Sequence, residues 1–152
     1  MQKITPFLWF DTQAEEAAKF YISVFPNSKI ISTSYYNADN PSHLPKGSVM
    51  TVGFELNGNA FTALNGGPVF KFNESVSFVV PCKDQQEIDF YWGKLSAVPE
   101  SEQCGWCKDK YGLSWQIIPE NLGELIKDEK GMQAMLAMHK IIIADLQKAH
   151  SL

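Results

Sequence analysis

A chain of 152 residues, 45% apolar and 20% charged, has the length of one compact domain and enough apolar material to bury a core. Its net charge of −4, with no Lys/Arg run, argues against a nucleic-acid binder, and no apolar run approaches the ~20 residues that span a bilayer. Three cysteines, an odd number, do not suggest a disulfide framework, and Met1 to Pro6 lacks the apolar core of a signal peptide, so a reducing cytoplasm is the expected compartment.

Ile4 to Phe10 reads as a first strand, with Pro6, Leu8 and Phe10 facing a helix and Thr5, Phe7 and Trp9 facing the other way. Asp11 or Thr12 is placed to cap the helix that follows, and Glu15 and Glu16 suit its first turn. Ala14, Ala17, Ala18, Tyr21 and Phe25 recur at helical spacing until Pro26-Asn27. Lys29 to Tyr36 predicts a second strand, and Asn37 to Gly47 a polar loop. Ser48 to Leu56 alternates, with Met50, Val52, Phe54 and Leu56 on one face and Thr51, Gly53 and Glu55 on the other. Asn57-Gly58 is a tight-turn signal, and Asn59 to Asn65 is the returning strand. Residues 65–74 hold two glycines, a proline and two phenylalanines, and form a joint.

Ser75 to Val80 predicts another strand. Asp84 to Ser96 predicts a helix with Ile88, Tyr91, Trp92 and Leu95 on its apolar side, and Ala97 to Gln103 a loop. Cys104 to Pro119 reads as a hairpin turning at Asp109 to Gly112. Leu122 to Ile126, the stretch around Met132 to His139, and Asp145 to His150 predict short helices whose apolar residues dock on the sheet or on a partner chain. The chain also echoes itself. A shift of 70 sets Phe20-Tyr21 on Phe90-Tyr91, and setting Gly58 on Gly112 pairs Phe61 with Trp115 and Thr62 with Gln116. The expected organisation is a single domain with a module over 1–67, a second over 68–119, and a helical tail over 120–152.

Several segments then resemble a known family. They are residues 10–21 from Phe10-Asp11-Thr12, Leu64-Asn65-Gly66-Gly67-Pro68, residues 70–74, Cys104-Gly105-Trp106, and residues 109–116 from Asp109-Lys110-Tyr111-Gly112. Together they resemble the PhnB-like group, labelled 3-demethylubiquinone-9 3-methyltransferase-like, of the glyoxalase/bleomycin resistance/dioxygenase (vicinal oxygen chelate) superfamily. The resemblance implies an α+β fold of two tandem βαβββ modules whose curved sheets surround a cup, and a homodimer. It also implies four strand positions that commonly carry a divalent metal, here Thr5, Thr62, Ser75 or Ser77, and Gln116. Such sites need imidazole, carboxylate or thiolate ligands, so no cofactor is expected and the metal-ligand set is empty. No Gly-rich loop closes a strand–helix unit, as a nucleotide-like methyl donor would require.

The candidate ligand-binding residues are Thr5, Phe7, Trp9, Thr62, Ser75, Ser77, Trp106 and Gln116. Glu55 is the candidate catalytic carboxylate, since burial would raise its pKa, and Glu74 is the second choice. Cys104 and Cys107 have redox spacing but no helix N-terminus to activate them, and they read as structural. His43, His139 and His150 have no carboxylate at metal-ligand spacing and read as surface or interface residues. The favoured expectation is a protein that binds a small organic ligand in the cup. The alternatives are an isomerase, lyase or oxygenase with an atypical metal site or a Glu base, a true methyltransferase, and a protein whose dimer surface matters most.

Overall fold

The computed structural model describes residues 2–150. By its contacts the chain divides after Phe72. The joint therefore belongs to the first unit as far as Phe72. Phe70 meets the edge of Trp9 at 5.0 Å and Phe72 meets Phe10 at 5.1 Å, which gives both phenylalanines a packing partner.

The first unit is a four-stranded sheet under one helix. Its elements are β1 (Phe7–Phe10), α1 (Ala14–Val24), β2 (Lys29–Tyr35), β3 (Val49–Leu56) and β4 (Asn59–Asn65), in sheet order β1-β4-β3-β2. The β3–β4 turn takes Asn57 and Gly58 at φ 48° and 82°, the paired positive values that a primed hairpin turn requires. β1 runs parallel to β4 and the remaining pairs are antiparallel. One sheet face carries Leu8, Phe10, Val52, Phe54, Leu56 and Ala63, all buried with Ala14, Ala17, Ala18, Tyr21 and Val24 of α1. Small side chains on α1 let it lie close, and Tyr21 stacks on Phe54. β2, an edge strand, is interrupted by two register shifts, a feature that discourages edge-to-edge pairing.

The expected cap of α1 is wrong in detail. Neither Asp11 nor Thr12 caps it; Gln13 holds the N-cap position without a side-chain bond. The first helical N–H, that of Ala14, is accepted instead by Oδ1 of Asn65 at 2.8 Å, and Asn65 Nδ2 donates to the Val49 carbonyl. A residue 51 positions away does the work of a local cap.

The second unit contains β5 (Ser77–Cys82), α2 (Gln85–Leu95), β6 (Trp106–Lys108) and β7 (Ser114–Pro119), in sheet order β5-β7-β6. β5 and β7 are parallel and β6–β7 is a hairpin, which repeats the plan of the first unit. This sheet has three strands, not the four of a complete βαβββ module. Residues 96–105 leave ten positions between α2 and β6, whereas 25–48 leave 24 between α1 and β3. A strand and its return do not fit, and a single 3-10 turn at Pro99–Ser101 fills the space. Asp84 caps α2 through the Glu87 N–H. Ile88, Tyr91 and Leu95 of α2 are buried, as are Val80, Cys82, Cys107, Trp115 and Ile117 of the sheet.

The tail forms α3 (Leu122–Leu125), α4 (Glu129–Leu136) and α5 (Ile143–Ala149) and packs within the second unit. The amides of Cys104 and Gly105 donate to the carbonyls of Met138 and His139. Gln85 bonds the Ile141 carbonyl and the Ile143 N–H with its two side-chain ends. Ile141 and Leu146 are fully buried, so the tail contributes side chains to the core of this unit.

Candidate functional site

Alternation leaves each sheet a second face, away from its helix. In the first unit the register puts Phe7, Trp9, Thr51, Gly53, Glu55, Thr62 and Leu64 there. Trp9 is fixed: its indole N–H donates to the Gly67 carbonyl at 2.9 Å and its ring lies against Phe70. Its ring also occupies the space where Gly66 lacks a side chain; a Cβ at that position would collide with it. Thr62 sits between Phe7 and Gly53. Glu55 lies at the hairpin end, across from Lys29 and Ala60, both exposed, and is itself half-buried. Thr5 is exposed and precedes β1, outside the strand expected to carry it.

The corresponding face of the second sheet has two rows. One is Ser77, Ser114 and Lys108; the next is Val79, Gln116 and Trp106. Gln116 Nε2 donates to Ser77 Oγ at 2.9 Å, joining the rows. Ser114 is 1% exposed, and its hydroxyl has no hydrogen-bond partner among the described residues. Lys108 forms an ion pair with Glu74, which accepts a hydrogen bond from it and is thereby held below the usual carboxylate range. Ser75 is exposed, precedes β5 and bonds Asn73 Oδ1, so of the two serines considered, Ser77 is the one on the strand. Lys108 and Ser114 were missed by sequence reasoning. The alternation that places Trp106 and Gln116 on this face puts residues two positions away there as well, which is the signal that points to them.

The cysteine pair is not activated. Cys104 stands in a tight turn at φ 39° rather than on the strand expected for it, and Cys107 is on β6. Burial raises both thiols, Cys107 to about 12, with Asp109 and Glu102 adding to the rise. His139 Nδ1 lies 2.8 Å from the Glu102 carbonyl. His150 does have a carboxylate partner, Asp128 at 2.8 Å, which the 22-residue separation concealed.

The family model for 3-demethylubiquinone-9 3-methyltransferase matches residues 2–118. The chain belongs to that family. The match ends at Ile118, so the helical tail lies beyond it. The PhnB protein of Bacillus cereus is 38% identical, with 77% of this chain and 99% of that chain covered and a TM-score of 0.63. Two more distant structures share the fold. A protein from Pseudomonas aeruginosa is 16% identical, with 78% and 98% covered and a TM-score of 0.57. The genomically encoded fosfomycin resistance protein FosX of Listeria monocytogenes is 14% identical, with 84% and 98% covered and a TM-score of 0.50. No curated protein matches. The chain is a PhnB-like member of the glyoxalase/bleomycin-resistance, or vicinal oxygen chelate, superfamily.

In this PhnB-like chain the Leu64-Asn65-Gly66-Gly67-Pro68 motif has a structural role. Asn65 caps α1, Gly66 makes room for the Trp9 ring, and Gly67, at φ 93°, offers its carbonyl to the indole. At the positions that the resemblance gives for metal ligands stand Thr5, Thr62, Ser77 and Gln116, two of them hydrogen-bonded to each other. Among the described residues no three His, Cys, Asp or Glu side chains group as a metal site would need.

Proposed function

We propose that this PhnB-like protein binds a small organic ligand on the helix-free sheet faces, which the family resemblance assigns to a cup, and that it does so without the usual divalent metal. The observation that carries this reading is the Gln116–Ser77 hydrogen bond beside the partnerless Ser114 hydroxyl. A neutral amide and hydroxyls, with no imidazole, carboxylate or thiolate among them, do not fit a divalent transition-metal ion. They do suit the few polar contacts that orient a ligand on an otherwise apolar surface, here Val79 and Trp106. In the first unit Phe7 and Thr62 are available in the same way, while Trp9 braces the motif beneath. The same reading takes the chain as a cytoplasmic homodimer.

S-adenosylmethionine does not fit either. The strand–helix connections, residues 11–13 and 83–84, contain no glycine, and one first-turn N–H of each helix is already taken, that of Ala14 by Asn65 and that of Glu87 by Asp84. Nothing around Glu55 favours it as a catalytic base, since its cross-strand neighbours Lys29 and Ala60 are exposed.

The test is metal analysis of untagged protein, then thermal shift with Mn, Fe, Ni and Zn added back and with a panel of neutral planar ligands. No stoichiometric metal, no metal-induced shift, and ligand-induced stabilisation that Gln116→Ala and Trp106→Ala weaken are expected. A stoichiometric metal, or strong stabilisation by one, would overturn the proposal.

A further inference from the structure

We infer that the helix-free face of the second sheet takes the carboxylate of a flat organic acid, with Lys108 as its cation and Glu74 as the resident anion that the ligand replaces. The inference rests on the ligand-binding reading above and adds a chemical class to it. Among the strand residues on this face Lys108 carries the charge; its neighbours Ser77, Ser114, Gln116, Val79 and Trp106 are neutral.

The two members of the ion pair are unequal. The Lys108 side chain is 22% exposed and that of Glu74 is 60% exposed. Most of the Lys108 side chain is covered, and a charge held against such a surface is better kept with a partner than without one, because an unpaired charge is the costlier the less water reaches it. A largely hydrated carboxylate gives up its place at little cost, since it regains water on leaving. Glu74 also lies outside β5, in the segment that leads into it. Ser114 is the cross-strand neighbour of Lys108, and its hydroxyl is buried and unpartnered with the pair in place. Directly opposed side chains are within reach of one small group. A carboxylate has about four lone-pair sites, so one incoming anion satisfies both Lys108 and Ser114, which Glu74 does not.

The body of the ligand follows from the strand. Trp106 and Lys108 are two residues apart on β6, hence on one face and ~6.6 Å apart along it. One aromatic ring with its carboxylate bridges that distance, the acid on Lys108 and the ring against the Trp106 indole. Val79, 51% exposed, continues the apolar row.

The experiment compares benzoate with its neutral analogue benzamide on the full chain at constant ionic strength, by calorimetry and thermal shift. Benzoate is expected to bind roughly tenfold or more tightly, the difference that one charge-assisted contact supplies. Glu74→Gln, which removes the competing carboxylate, is expected to tighten benzoate severalfold and leave benzamide unchanged. Lys108→Met abolishes the preference and Lys108→Arg keeps it; circular dichroism confirms that each variant is folded. Equal binding of benzoate and benzamide overturns the anion site and leaves the ligand-binding proposal standing. Weaker benzoate binding by Glu74→Gln makes the ion pair structural and overturns the inference. Absence of benzoate binding in both the parent protein and Glu74→Gln also overturns it, while the neutral panel and the metal analysis decide the broader proposal separately.

Discussion

Asp109 is 1% exposed, yet its carboxylate is well used. Oδ1 accepts from the N–H groups of Tyr111 and Leu113, and Oδ2 accepts from the Trp115 indole at 2.9 Å. The residue ties the turn of the second hairpin to the core face of β7. Asp109→Ala leaves three donors to find other partners and is expected to lower stability by roughly 2–4 kcal/mol in urea denaturation. A second residue-scale prediction concerns Gly66. Gly66→Ala drives a methyl into the Trp9 ring and is expected to cost about 1–3 kcal/mol. In a double-mutant cycle Trp9→Ala should recover part of that loss, because it removes the atoms that collide. The sequence marked Asp109 as a turn residue and Gly66 as an irregular one. It did not give their partners, which lie across the fold.

At the scale of elements, α1 and the tail illustrate what local pattern misses. Asn65→Ala removes both the acceptor of the Ala14 N–H and the donor to the Val49 carbonyl. It is expected to destabilise by roughly 1–2 kcal/mol, the range of a lost cap, whereas Asp11→Ala and Thr12→Ala should stay within about 0.5 kcal/mol. Thermal unfolding of the three variants in parallel checks this. In the tail, His150 Nδ1 faces the Asp128 carboxylate at 2.8 Å and Nε2 faces the Leu125 carbonyl at 2.6 Å. Both partners only accept, so both ring nitrogens must donate, and only the imidazolium does so. The hydrogen bond to Asp128, followed by that to Leu125, accordingly raises the His150 pKa, against smaller opposing contributions from desolvation and then from Lys127. Asp128 is held low, first by the Gly131 N–H and then by His150. The sign follows from linkage. The His150 contribution is full below its unfolded value of about 6.5 and is lost as pH rises through its raised folded value. The Asp128 contribution is full above about 3.9 and is lost as pH falls through its lowered folded value. The melting-temperature gap between the parent protein and His150→Ala should therefore shrink from pH 6 to pH 9. A gap that stays constant across that range would show that the clasp does not depend on charge.

At the scale of the molecule, several large apolar side chains remain at the surface: Ile4, Phe7, Ile31, Val69, Phe70, Val76 and Val79 among them. Scattered apolar exposure is ordinary, but this amount suits the proposed homodimer. Sedimentation equilibrium should then report twice the chain mass of 17.1 kDa; a single 17.1 kDa species at micromolar concentration would remove the dimer from the proposal. Among the described residues no helix is long and apolar enough to cross a membrane.

By itself the sequence determined what depends on neighbours along the chain. Periodicities of 2 and 3.6 marked the strands and helices, Asn57-Gly58 and Gly112 marked the hairpins, and the internal echo with its motifs pointed to a PhnB-like α+β chain of two related units. The periodicities, turns and motifs are carried by residues a few positions apart, where sterics and alternation act directly, and the echo is the same local pattern read twice along the chain. Only the tertiary structure decided what depends on residues far apart: Asn65 as the cap of α1, Trp9 as a brace on Gly66 and Gly67, and His150 closed on Asp128. It also brought Glu74, Lys108 and Ser114 into one place, although alternation alone could have put Lys108 and Ser114 on the right face. Hydrogen bonds and ion pairs of this kind act over a few ångströms in space, and a linear pattern does not record which distant residues share those few ångströms.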